Sequence, residues 1–153
     1  MTVAEKVLEQ TGVIGEKIEI SAQLIEDVQV SSYIHAGNRL ATLVGFNAAT
    51  DLQVARDVAM QVAAMNPLAV SKDGIDSKTI EREIEVGKDQ AIQEGKPAEM
   101  AEKIAMGRLN KFFKENTLLS QQFVRDNKVT VEQFLNNSEK GLTVSDFKRF
   151  SLS

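Results

Sequence analysis

The sequence contains no cysteine, which excludes disulfides, thiolate catalysis and cysteine-ligated zinc or iron–sulfur centres. It has one histidine, His35, so every two-histidine metal motif and most histidine-pair catalysis are excluded as well. No apolar run approaches the roughly 18 residues that a membrane helix needs. The opening residues, Met1-Thr2-Val3-Ala4-Glu5-Lys6-Val7-Leu8-Glu9, show neither a basic n-region nor an apolar h-region. A secretory signal is therefore not read, and a cytoplasmic location with no membrane partner is expected. What is there fits an ordinary folded chain. Its 153 residues suit one domain, or one domain with an appendage, and not two full ones. With 42% apolar and 26% charged residues it can fill a core and solvate a surface, which rules out disorder of the whole chain. The 18 Lys and Arg against 22 Asp and Glu leave a formal charge of −4, which argues against nucleic acid as a partner.

The pattern along the chain predicts an α+β fold. Thr2 to about Ile14 reads as a short helix ended by Gly12 and Gly15. Ile18, Ile20, Ala22 and Leu24 alternate with polar neighbours, the period of a strand with one wet face. Val28 to Ile34 and Arg39 to Asn47 read as the two arms of a hairpin around His35-Ala36-Gly37-Asn38. Three short strands joined by short connections give an antiparallel meander. Leu52, Ala55, Val58, Ala59, Val62 and Ala63 then follow helical spacing, with Thr50 or Asp51 as the cap and Asn66-Pro67 as the stop. The alanines let this helix lie close on the sheet.

A long helical region spans 77–119. Ile80, Ile84, Gly87 and Ala91 stripe its first helix; Ala101, Ile104, Ala105, Leu109, Phe112 and Phe113 stripe its second. Glu94-Gly95-Lys96-Pro97 puts glycine at one helix stop and proline at the next start. Two helices with one apolar seam and polar outer faces can project from the body as an antiparallel coiled-coil hairpin. From Gln121 to Thr130 the chain is expected to be loose. A short helix over Val131 to about Asn137 follows, and Leu142 to Leu152 is expected to be a bulged strand returning to the first sheet. The expected organisation is 1–76 as the first part of a core subdomain, 77–119 as the inserted helical hairpin and 120–153 as the closing segment.

Candidate sites are few. His35 sits in a turn with no nucleophile signature and no second histidine, so no base with an orienting partner can be named. Glu81, Glu83 and Glu85 read as a solvated face, and Gly12-x-x-Gly15 as a helix terminator, since the lysine and preceding strand of a phosphate loop are missing. Lys103, Arg108, Lys111 and Lys114 make one helix basic along one side. They read first as salt-bridge partners of the acidic first helix, and otherwise as a docking face for an acidic partner or RNA, the latter disfavoured by the lack of interleaved aromatics. No catalytic, cofactor or metal residue is expected.

Four motifs carry a family resemblance. Tyr33-Ile34-His35-Ala36-Gly37-Asn38-Arg39-Leu40-Ala41-Thr42-Leu43-Val44 resembles the Tyr-x-His-x-Gly-x-Arg-Ile-Gly-Val-Leu-Val hairpin of bacterial elongation factor Ts. Asp57-Val58-Ala59-Met60-Gln61-Val62-Ala63-Ala64-Met65-Asn66-Pro67 is similar to that family's Ile-Ala-Met-His-Ile-Ala-Ala helix, with Gln61 where many members carry histidine. Glu94-Gly95-Lys96-Pro97 with Gly107-Arg108-Leu109-Asn110-Lys111-Phe112-Phe113 resembles its coiled-coil insert. Leu118-Leu119-x-Gln121-Gln122-Phe123-Val124 resembles its Leu-x-x-Gln-Pro-Phe-Val, with Gln122 for the usual proline. The order is right and the coverage runs from about 10 to 150.

The resemblance implies the C-terminal half of such a factor, the second core subdomain plus coiled-coil insert, in an exchange factor for the GTPase elongation factor Tu. The family's N-terminal docking domain is not recognised here. Nor is the Asn-x-x-Thr-Asp-Phe-Val motif whose Asp-Phe pair wedges near the nucleotide; Asn47-Ala48-Ala49-Thr50-Asp51-Leu52 echoes it at the sister position. By resemblance, His35, Gly37 and Arg39 contact the third domain of Tu, with Val124 and Arg125 alongside. Turn geometry for Gly37 and core packing for Val124 stand as alternatives. The competing reading of the chain is a structural module that self-associates through its helical hairpin.

Overall fold

In the computed structural model, which describes residues 1–20 and 22–152, the alternating segments Gln29–Ile34 (β1) and Leu40–Phe46 (β2) pair as an antiparallel hairpin, with Tyr33 opposite Thr42 and Ser31 opposite Val44. Successive side chains point to opposite faces. Thr42, Val44 and Phe46 are thereby fully buried on one face, while Val30 and Ile34 are exposed on the other. The chain then forms helix α2 (Leu52–Met65), started by Asp51, whose carboxylate accepts from the Gln53 N–H at 2.8 Å, and stopped at Asn66 in the left-handed region at φ 44°. Ala55, Val58, Ala59, Val62 and Ala63 are buried against the sheet. The small residues allow the helix backbone to come near enough for the Thr42 hydroxyl to donate to the Ala59 carbonyl at 2.8 Å. That bond satisfies a polar group with no access to water. Leu52, expected on this stripe, is 80% exposed: it opens the first turn of the helix at the rim of a surface groove beside Ser31–Ile34 of β1.

The last strand, Val144–Ser151 (β5), returns to this sheet and takes the free side of β2, giving the order β1–β2–β5. Its expected bulge is at Ser145: Val144 faces Phe46 and Asp146 faces Gly45, leaving one extra residue between them. The fold class is α+β, but the third strand of the sheet is β5 and not the segment around Ile18–Leu24. There the described residues are irregular, with Ile20 61% and Leu24 75% exposed; Ser21 lies outside the described residues. Alternation alone does not make a strand: β2 is paired on both sides by β1 and β5, and the described residues of this segment do not pair with the outer edge of either. The segment meets the sheet at Ile25 and Asp27, which pass so close over Gly45 that a Cβ there would lie 2.8 Å from Ile25 Cγ2. Helix α1 (Val3–Ile14) forms as its capping box dictates, Thr2 and Glu5 bonding each other's backbone, and ends at Gly15 rather than Gly12; none of its residues is buried.

A second correction concerns 121–130. The segment read as loose forms a small hairpin, Gln122–Phe123 (β3) with Asp126–Thr130 (β4). Strands this short and this polar carry no readable period. Phe123, 3% exposed, stacks on Phe134 of helix α5 (Val131–Ser138) with ring centroids 4.1 Å apart. Phe123, Val131, Leu135, Leu118 and Leu142 thus join Phe46, Val44 and the α2 stripe in one core.

Helices α3 (Ser77–Gln93) and α4 (Ala98–Asn116) pack on one another, turning at Gly95, φ 80°. Their seam uses the residues expected, with Gly87, Ala91, Ala101, Ala105 and Leu109 buried. Ion pairs cross it from Lys88 to Glu102 and from Arg108 to Glu94, not to Glu81, Glu83 or Glu85. Gly87 marks the closest approach: a Cβ there would stand 3.1 Å from the Ala105 Cα. Gly87→Leu is expected to lower stability by about 2 kcal/mol through overpacking. Helix propensity alone would raise it by just under about 1 kcal/mol. The sign of the shift in a urea midpoint separates the two, and a rise would show that the helices do not touch at this level.

Candidate functional site

The turn between β1 and β2 is closed from three directions. The His35 N–H donates to the Leu40 carbonyl at 2.8 Å, and the Asn38 N–H to the His35 carbonyl at 3.0 Å. The Leu152 N–H, just past β5, donates to the Arg39 carbonyl at 2.8 Å. Gly37 at φ 91° and Asn38 at φ 56° occupy the left-handed region. Open space surrounds the Gly37 α-carbon, so its glycine is required by backbone angle and not by crowding. His35, Gly37 and Arg39 are all exposed. The imidazole is not free to wander: its Nδ1 is 3.1 Å from the Tyr33 hydroxyl, and the two rings are 5.9 Å apart. A fixed backbone and a braced ring present a ready contact surface with little conformational entropy left to lose.

Val124 and Arg125 are the two turn residues between β3 and β4, a separate turn from that of His35. Core packing does not account for Val124, whose side chain is 43% exposed. Its backbone is what is held. The Val124 N–H donates to Gln61 Oε1 at 2.9 Å, while Gln61 Nε2 donates to the Gln122 carbonyl at 3.0 Å and to Gln121 Oε1 at 3.3 Å. Gln61 itself is fully buried. Its side-chain amide therefore takes the place of a peptide group from a neighbouring strand, with the donor and acceptor both used. One helical turn earlier, Asp57 Oδ1 accepts from Arg125 Nη1 at 2.8 Å and from Gln53 Nε2 at 2.8 Å. The Asp57 side chain is 13% exposed and that of Arg125 54%, so the pair is partly screened and worth no more than about 1 kcal/mol of stability.

The five residues picked from the sequence thus fall in two groups, His35, Gly37 and Arg39 on one turn, Val124 and Arg125 on another. Helix α2 lies under both: Ala59 meets Thr42 of the first hairpin, and Gln61 and Asp57 hold the second. Asp57 and Gln61 were the residues that sequence reasoning missed as holders. The available signal was two polar side chains four apart beside an otherwise apolar stripe, one line along a helix. Among the described residues no group of three or more His, Asp or Glu is placed to hold a metal, and no helix is long and apolar enough to cross a membrane.

Comparison with known proteins gives the chain's family. The family model for elongation factor Ts matches residues 1–153. The chain is 52% identical over 156 residues to the elongation factor Ts of Cytophaga hutchinsonii and 47% identical over 153 residues to that of Porphyromonas gingivalis, in each case across 99% of this chain. A more distant relative, the elongation factor Ts of Clostridium kluyveri, is 43% identical over 143 residues. The chain spans 56% of the length of the first two relatives and 45% of the third. A match that runs through both turns, α2 and the α3–α4 pair places this chain in the elongation factor Ts family.

Proposed function

We propose that this chain is the Tu-binding C-terminal half of a guanine-nucleotide exchange factor for elongation factor Tu, acting in translation elongation in the cytoplasm. It works by binding and carries out no covalent chemistry. Its core subdomain comprises 1–76 and 120–153, with 77–119 inserted as a coiled-coil hairpin, and His35, Gly37, Arg39, Val124 and Arg125 contact the third domain of Tu. The observation that carries this reading is the exposed His35 turn, fixed by backbone bonds to two other strands' ends and braced by Tyr33. In a whole factor exchange follows from linkage, since a factor that prefers nucleotide-free Tu lowers the nucleotide's affinity by the same coupling factor. This half binds Tu but lacks the Asn-x-x-Thr-Asp-Phe-Val motif whose Asp-Phe wedge would supply the preference.

The test is His35→Ala. Removing an exposed ring should change stability by less than about 0.5 kcal/mol and leave Tm within a degree or two. Affinity for Tu, measured by calorimetric titration, should fall by about tenfold, the loss of one good contact. Unchanged affinity would remove His35 from the interface.

The second reading, self-association through the helical hairpin, is favoured by one observation: Val86, Ile92, Met100 and Met106 are 41–55% exposed along α3 and α4. Sedimentation at several concentrations decides it, since a dimerising chain gains mass with concentration while a Tu-binding monomer does not.

A further inference from the structure

We infer that Asp57 is a positioning residue for the partner contact: it aims the Arg125 guanidinium outward from the β3–β4 turn, while Gln61 fixes that turn's backbone. This rests on the proposed Tu-binding role of the turn. Arg125 is one of two residues in a tight turn whose flanking amide and carbonyl groups, Val124 N–H and Gln122 C=O, are clamped by a single buried side chain. The Cα of Arg125 is thereby set relative to α2. Its long side chain would still sample many rotamers, but Nη1 is caught by Asp57 Oδ1 at 2.8 Å. Asp57 is in turn steadied by Gln53 Nε2 at 2.8 Å, one helical turn back, so the acceptor has its own brace.

The arrangement is uneven in a telling way. Asp57 is almost covered at 13% exposure, whereas Arg125 remains 54% exposed. One nitrogen of a planar five-donor fork is thus used internally and the rest of the fork faces out. A guanidinium held this way offers directed donors to a carboxylate or to carbonyl oxygens of a protein partner, with its rotamer entropy already spent. With Arg125 still open to solvent the pair is screened and adds no more than about 1 kcal/mol of stability. Its consequence is the direction of Arg125.

The test is a double-mutant cycle on the whole chain with Tu, read by affinity, together with 15N relaxation of the Arg125 side chain. Arg125→Ala is expected to weaken binding by about tenfold. Asp57→Ala is expected to weaken it about three- to fivefold with Tm nearly unchanged. Asp57→Asn, which keeps the acceptor, should recover most of the loss. In the Arg125→Ala background, Asp57→Ala should have no further effect, since it acts through Arg125. The Arg125 side-chain order parameter should drop towards flexible values in Asp57→Ala alone. Additive effects of the two alanine variants overturn the inference, as does an order parameter that Asp57→Ala does not move. If Arg125→Ala binds Tu as tightly as the unaltered chain, the turn is not a contact. That result removes the partner role, while the order parameter still decides whether Asp57 holds the side chain.

Discussion

Gln61→Leu is expected to destabilise the protein by about 2–4 kcal/mol, a large effect for a substitution that adds apolar character at a buried site. Leucine fills nearly the same volume and favours helix, so packing and propensity predict a small change. The hydrogen bonds decide otherwise. Gln61 is the acceptor for the Val124 N–H and the donor to the Gln122 carbonyl and to Gln121 Oε1. Without it, two backbone groups beside buried Phe123 lose their partners, each at a cost of about 1–3 kcal/mol, and leucine's apolar gain offsets only part of that. The Gln121 carboxamide keeps one bond, from its Nε2 to the Glu115 carbonyl at 2.9 Å. The loss should appear as a lower denaturant midpoint with an unchanged m-value. A loss below 1 kcal/mol would mean that water replaces the amide in the cleft.

How much of this was legible depended on whether a residue's local pattern and its tertiary partner agreed. The α2 stripe was legible because Ala55, Val58, Ala59, Val62 and Ala63 follow one period and all meet one sheet. The return of β5 was legible from Leu142 and Val144, and the bulge from the phase break before Phe147. The alternation of Ile18, Ile20 and Leu24 misled because nothing local says which sheet edge, if any, will accept it. The β3–β4 hairpin was invisible for the opposite reason. Its order comes from Phe123 stacking on Phe134 and from the Gln61 amide, both distant in sequence. The candidate site divides the same way. The His35 turn announces itself through Gly37 and Asn38, residue types that tolerate the positive φ that a tight turn needs. Arg125's partner, Asp57, is 68 residues away, and no spacing rule points to it.

On the proposed reading, this chain should bind Tu and yet accelerate GDP release by less than about a hundredth of what a full-length factor achieves. Exchange needs a ligand with different affinities for the two nucleotide states of its target; equal affinity shifts no population, however tight the binding. The resemblance assigns that difference to the Asp-Phe pair of Asn-x-x-Thr-Asp-Phe-Val, a motif absent from residues 1–153. The sister segment Asn47-Ala48-Ala49-Thr50-Asp51-Leu52 is a poor substitute on physical grounds. The Asp51 carboxylate is engaged as the cap of α2, accepting from the Gln53 N–H at 2.8 Å, and Leu52, although 80% exposed, brings an aliphatic side chain where the wedge brings an aromatic ring. Drawing Asp51 away to disturb a partner would uncap the helix at a cost of about 1 kcal/mol. Contact through the His35 and Arg125 turns has no evident preference for either nucleotide state. A contact region that is missing also removes hot spots worth about 2 kcal/mol or more each, so binding should be weak as well as unproductive. Stopped-flow release of a fluorescent GDP analogue from Tu, with this chain and with a full-length factor, measures the ratio directly. A rate within tenfold of the full-length factor would transfer exchange activity to this half, and Asp51→Ala and His35→Ala would then identify which of its turns reaches the nucleotide site.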